Sequence, residues 1–231
     1  MYACEVAKPL IDAGTDAKLW PDDDSTHRVN TTYFAMRDQW CDGQYHMTFI
    51  VLPTNAPTSI DMCLRLHARP VHTLMFNIPH KLWLTSNFND SDLLARQQSV
   101  NVYGSNQRFL GNVSPSNRKA LRGNLMAYVM KQWATNYPEA RMSADYSTVA
   151  GVSYPSGNDS DPDNATESIA CILGSGLTLG LLPSITGTCG ELSVYKLRER
   201  SLPSYHGVKV ELYKREHNLA STISEIIKHS G

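Results

Sequence analysis

The chain has 231 residues and a mass of 25.7 kDa, and its 21 basic and 22 acidic residues leave a formal charge of −1. This length is sufficient to bury a hydrophobic core, and an apolar content of 42% excludes a disordered protein. The near-neutral charge excludes a nucleic-acid binder that depends on a strongly positive overall field.

The first 27 residues are predicted to form an irregular N-terminal arm, because Pro9, Gly14 and Pro21 interrupt them and three aspartates follow at 22–24. We expect residues 28–231 to form a single α+β domain and the arm to bridge neighbouring copies of the chain. The N-terminal residues lack a basic region followed by an apolar run, so we predict no secretory signal and no export.

The cysteines also indicate an intracellular protein. They are Cys4, Cys41, Cys63, Cys171 and Cys189. An odd number at wide spacings, without a C-x-x-C pair, favours buried thiols over disulfides or a zinc site. We therefore expect a reducing compartment, such as the cytoplasm of a host cell if the protein is viral, in which case it would also occur in the virion.

Residues 28–85 are predicted to be mostly β-strand. Apolar and polar side chains alternate over 60–67, which is the pattern of a half-buried strand. Further short strands are expected at 71–76 and 81–85, separated by Pro79.

Histidines on these strands suggest two kinds of chemistry. His46 begins an H-x-T motif, which two-histidine phosphoesterases use twice, but no second copy is present, so a small hydrolase that uses His46 stays an alternative. The potential metal ligands are Cys63, His67, His72 and His80. No acidic residue lies between Asp61 and Asp90 to orient these ligands, so we predict no metal site. We also predict no cofactor and no catalytic residue.

The clearest helix signal lies in the middle of the chain. Ser114 is a candidate N-cap, Pro115 suits the first helical position, and Pro138 ends the pattern. The apolar residues recur at helical spacing and are Leu121, Leu125, Tyr128, Val129 and Trp133.

Residues 139–168 are predicted to be mostly loop, with an acidic surface loop at 154–167. Asp159, Asp161 and Asp163 have the spacing that begins a calcium-binding loop, but Gly and Glu are missing from the sixth and twelfth positions. A solvated acidic segment is therefore the preferred interpretation.

Residues 168–190 contain no charged side chain. Their length would span a bilayer, but glycines and Pro183 interrupt them and acidic residues flank them, so a buried helix or strand with turns is favoured. The alternative is a contact with a membrane or a partner through Leu177, Leu179, Leu181 and Leu182. The glycines at 174, 176 and 180 resemble a phosphate loop only loosely, because the Lys-Ser/Thr ending is absent.

The last third of the chain is predicted to contain strands at 192–197 and 208–213 and a short amphipathic helix near 218–229. If the two strands form a hairpin, their basic residues would make a surface for anionic lipid or nucleic acid. These residues are Lys196, Arg198, Arg200, Lys209, Lys214 and Arg215.

Together these patterns predict an α+β fold with a mixed or antiparallel sheet, one central amphipathic helix and a short C-terminal helix. A polar but weakly charged composition suits surfaces that become buried between subunits. We therefore expect a non-enzymatic structural protein that self-assembles through lateral contacts, of the viral matrix or capsid type. Its expected partner is itself, with an anionic membrane surface or a nucleoprotein as further candidates, and an adaptor for membranes or nucleic acids is a second alternative.

Overall fold

The structure is a computed structural model that describes residues 3–21, 30–34, 69–84, 115–142, 146–155, 162–183 and 191–214. These residues form five strands and three helices, and the predicted α+β class is confirmed. The strands are β1 (Asn30–Phe34), β2 (His72–Pro79), β3 (Tyr146–Ser153), β4 (Glu191–Lys196) and β5 (Tyr205–Lys214). The helices are α1 (Ala3–Asp16), α2 (Pro115–Asn136) and α3 (Thr166–Thr178).

The five strands form one mixed sheet in the order β1-β4-β3-β5-β2. Strand β3 is central, parallel to β4 and antiparallel to β5, and the two outer pairs are antiparallel. One face of the sheet carries the apolar side chains that pack against α2 and α3, and we call it the core face. On β5 this face is formed by Val208, Val210 and Leu212, as their alternation predicted.

The central strand β3 lies where the sequence predicted mostly loop, and that prediction is wrong. All eight of its residues are buried, including Ser147 and Ser153. A strand that is buried on both faces has no apolar–polar alternation. The small and hydroxylated residues of β3 therefore carried no periodic signal.

Helix α2 begins at Pro115 and ends at Asn136, between the two prolines that marked it in the sequence. Leu125, Val129 and Trp133 are fully buried in the core. The expectation of a single central helix is nevertheless wrong, because α3 lies beside α2 against the same core. The predicted C-terminal helix near 218–229 and the predicted strand at 60–67 lie outside the described residues.

Trp133 joins α2 to both β2 and α3. Its ring centroid lies 5.2 Å from that of Phe76 on β2, and its indole N–H donates a 3.0 Å hydrogen bond to the carbonyl of Ile172 on α3. Gly176 of α3 faces the same ring, and a Cβ there would lie 3.0 Å from both Trp133 Cζ2 and Leu182 Cδ1. The absence of a side chain at this position lets the two helices approach each other.

Helix α3 contains the first part of the uncharged stretch at 168–190. It ends in a Schellman motif, in which Gly180 takes a positive φ of 68° and Leu181 donates its N–H to the carbonyl of Gly176 over 2.9 Å. Two of the three glycines that resembled a phosphate loop therefore have structural roles, Gly176 in helix packing and Gly180 in helix termination. The favoured interpretation of this stretch was a buried helix or strand with turns, and over residues 168–183 the structure shows the helix followed by a turn.

The N-terminal segment differs from its prediction. Residues 3–16 form α1 and are not irregular, although Pro9 and Gly14 lie within this helix. Ile11 is buried, and α1 contacts both α3 and β1. Tertiary packing therefore outweighs the two residues of low helix propensity.

Two other local predictions need correction. Residues 80–82 form a 3₁₀ turn in place of the strand expected at 81–85. The acidic loop predicted at 154–167 ends earlier, because Glu167 lies in the first turn of α3, is buried, and has Oε1 4.0 Å from Nε of Arg122. Asn164 is also buried.

Two helical glycines should respond in opposite ways to alanine. A methyl group added at Gly123 of α2 would meet open space, so Gly123→Ala should raise the free energy of unfolding by about 0.5–1 kcal/mol. Gly176→Ala should lower it, because overpacking costs about 1–3 kcal/mol and exceeds the gain in helix propensity. Urea denaturation of both variants measures these changes, and an equal increase in both would contradict the packing described for Gly176.

Candidate functional site

The structure does not bring the predicted basic residues together. Strands β4 and β5 do not form a hairpin, because β3 lies between them. Lys196 is in register with Val152 of β3, whereas Lys209 is in register with Gly151, so the two lysines lie on opposite faces of the sheet.

The remaining basic residues are dispersed along the sheet. Lys214 is in register with Tyr146 of β3, whereas Lys196 is in register with Val152. These two positions of β3 are six residues apart, which is about 20 Å along the strand. Arg198 and Arg200 are exposed in the connection from β4 to β5, and Arg215 lies outside the described residues. The hairpin on which the anionic-ligand surface depended is therefore absent from this sheet.

Lys209 takes part in an ion pair on the face opposite the core, which we call the outer face. Its Nζ lies 2.8 Å from Oε1 of Glu211, two residues along the same strand. The hydrogen bond to Glu211 raises the pKa of Lys209 above its ordinary value of 10.5. Burial, followed by the charge of Glu211, raises the pKa of Tyr195 on β4. Lys209 thus keeps its proton at neutral pH and serves the sheet as a paired cation, not as a base.

The four leucines proposed for a membrane or partner contact pack inside the chain. Leu181 and Leu182 are buried in the core, so this prediction is wrong for them. Leu177 and Leu179 are partly buried against the same core. Within the described ranges, no helix combines the length and the apolar character needed to cross a bilayer.

Two histidines distant in sequence meet at one end of the sheet. His80 Nδ1 and His206 Nε2 lie 2.7 Å apart, with the ring centroids separated by 5.0 Å and the ring planes at 16°. These values place the imidazoles edge to edge in nearly one plane, joined by an N–H···N hydrogen bond. His206 also stacks on Trp83 at 4.4 Å and meets the ring of Tyr154 edge-on.

The geometry of this pair is that of a hydrogen bond and not of metal coordination. Two histidine nitrogens on a tetrahedral zinc ion would be about 3.4 Å apart. In the part of the chain that the structure describes, no three His, Cys, Asp or Glu side chains form a group that could hold a metal ion. His46, Cys63 and His67 lie outside that part, and His72 begins β2, at the opposite end of that strand from His80.

The sequence indicated His80 only as a potential metal ligand and did not indicate that His206 would be its partner. A usable signal was present, because His206 lies two residues before Val208 and four before Val210. The strand period therefore already placed its imidazole on the core face. The backbone N–H of His80 donates to the carbonyl of Ser204 over 2.9 Å, which fixes the turn that follows β2 against the start of β5.

The outer face is covered at β5 and open at β2. Tyr213 and Glu211 on β5 are buried, whereas the outer-face residues of β2 beside them are exposed. The exposed residues on this side are Val71, which immediately precedes β2, then Thr73, Met75 and Asn77, and we call the first three the β2 stripe. Val71 is 52% exposed and Met75 is 44% exposed, so two apolar side chains on this face are accessible to solvent.

The sequence matches no protein-family model, and a search of curated proteins likewise finds no match.

The Lys209–Glu211 pair can be tested directly. Glu211→Gln should lower the pKa of Lys209, because the Glu211 hydrogen bond is the main cause of its elevation. A lysine whose pKa is raised on folding stabilises the protein below 10.5 and loses this contribution as the pH rises through the folded value. The stability difference between wild type and variant should therefore persist at neutral pH and shrink in strong alkali.

An NMR titration of the Lys209 side chain measures this pKa, and Glu199→Gln is the matched control. Glu199 is exposed and is the weakest of the charges that raise the pKa of Lys209. An unchanged Lys209 titration in Glu211→Gln would show that the pair does not exist in solution.

Proposed function

We propose that this chain is a non-enzymatic structural protein that assembles with copies of itself, in the manner of a viral matrix or capsid shell, and that the β2 stripe makes a lateral contact. The observation that supports the proposal is the exposure of Val71 and Met75 on one face of an edge strand. Exposed apolar side chains that share a face mark interaction surfaces more often than isolated ones do.

The β2 stripe is suited to a second copy of itself. Its three residues carry no charge, so two copies face each other without like-charge repulsion. A two-fold axis through Thr73 would place Val71 of one copy against Met75 of the other, and the reverse pair follows from the symmetry. Both ends of the contact then bury apolar surface.

The sheet supports such a contact from behind. The residues that alternate with the stripe are Leu74, Phe76 and Ile78, and all three are buried in the core. Strand β2 is therefore anchored to the core through one face, and the exposed side chains project from the other. A preorganised surface loses less conformational entropy on association than a mobile one does.

Charged substitutions in the stripe should abolish self-association. In Val71→Glu/Met75→Glu, four carboxylates would enter each two-fold contact, and we expect the variant to sediment as a monomer at concentrations where the wild type forms larger species. The exposed positions should leave folding intact, which circular dichroism checks.

Leu202→Glu is the matched control, because Leu202 is 62% exposed but lies in the connection between β4 and β5. This variant should associate as the wild type does. A wild type that stays monomeric at every concentration, or a Leu202 variant that loses association equally, would contradict the proposed contact.

A further inference from the structure

The outward edge of β2 is already occupied by side chains of the same chain. Among the strands that the structure describes, β2 is last in the sheet, so one row of its backbone groups points away from β5. The Tyr137 hydroxyl accepts a 2.8 Å hydrogen bond from the N–H of Met75 and donates one of 3.0 Å to the carbonyl of the same residue. The Gln132 amide accepts from the N–H of Asn77 over 3.2 Å and donates to its carbonyl over 3.1 Å.

These four hydrogen bonds satisfy the backbone N–H and carbonyl groups of β2 that a neighbouring strand would otherwise bind. Met75 and Asn77 are two residues apart, which is about 6.8 Å along a strand. Gln132 lies in α2, and Tyr137 directly follows the last residue of that helix. The N–H of Tyr137 still bonds to the carbonyl of Trp133, so a rise of about 1.5 Å per residue puts the two positions about 7.5 Å apart along the helix axis. This spacing is close to that of the two outward-facing strand residues.

The two side chains are held in place by the core. The ring of Tyr137 lies 5.8 Å from that of Phe76, and the Tyr137 N–H bonds to the carbonyl of Trp133 over 2.9 Å. Gln132 is adjacent in sequence to Trp133, which is fully buried. An incoming strand would have to displace four hydrogen bonds and the contact between Tyr137 and Phe76.

We propose that Gln132 and Tyr137 close the edge of β2 against strand addition by β2 of a second copy. Exposed edges accept strands readily, and two identical uncharged strands can pair antiparallel about a two-fold axis. Closing the edge leaves the side chains of the β2 stripe as the contact available on this strand. The edge closure is a separate property of the chain and holds whether or not the β2 stripe associates.

A peptide that covers residues 71–79 tests this closure without reference to assembly. The labelled peptide is titrated with wild-type protein and with Gln132→Ala/Tyr137→Phe, and binding is followed by fluorescence anisotropy. We expect the double variant to bind at least about tenfold more tightly than the wild type, because the peptide no longer displaces four hydrogen bonds. In deuterium exchange, the bound peptide should slow the amides of Met75 and Asn77.

The controls separate edge pairing from other binding. A peptide that is N-methylated at the backbone positions of Met75 and Asn77 cannot donate these hydrogen bonds and should not bind. Tyr137→Phe alone keeps the ring beside Phe76, and Gln132→Glu keeps a hydrogen-bond acceptor for the N–H of Asn77. Each single variant should remain folded and should bind the peptide with an affinity between those of the wild type and the double variant. Equal binding to wild type and double variant, no binding to either, or binding of the methylated peptide would each overturn the proposal.

Discussion

The position of Trp133 is the constraint on which the rest of the described structure depends. Its ring fills the space between Phe76 of β2 and α3, and its N–H satisfies the Ile172 carbonyl. Gly176 leaves room for this arrangement. Because Gln132 and Tyr137 lie one and four residues from Trp133, the same packing that builds the core also sets these two side chains against the edge of β2. Core packing and edge closure are therefore one structural feature.

The two faces of the sheet differ in the side chains that they carry. The core face buries large apolar residues of β2 and β5, whereas the outer face of β3 is built from serine, valine and glycine and adjoins the Lys209–Glu211 pair. Small residues at the centre let neighbouring strands contribute the larger side chains, such as Tyr195 and Tyr213. The lysine keeps its proton on this half-covered face because the carboxylate beside it accepts its hydrogen bond.

Strand β2 presents two surfaces with opposite properties. Its backbone edge is bonded by Gln132 of α2 and by Tyr137 directly after that helix, and its exposed outer-face side chains are uncharged. Strand addition through backbone bonds is tolerant of sequence and can continue without limit, whereas a contact between side chains has a defined partner and symmetry. The proposed assembly would use this combination, because edge closure would suppress strand addition and leave the side-chain contact available.

The sequence alone determined the elements with a strong local signal. Pro115 and Pro138 bounded α2, the alternation at 208–213 indicated β5 and its core-facing side, and the uncharged stretch indicated a buried helix or strand with turns. Only the tertiary structure decided the strand order, which placed β3 between β4 and β5 and separated Lys196 from Lys209. It also joined His80 to His206 and Gln132 to Asn77. Periodicity reports which side of an element is buried, but neighbours distant along the chain are chosen by packing, and no local pattern encodes that choice.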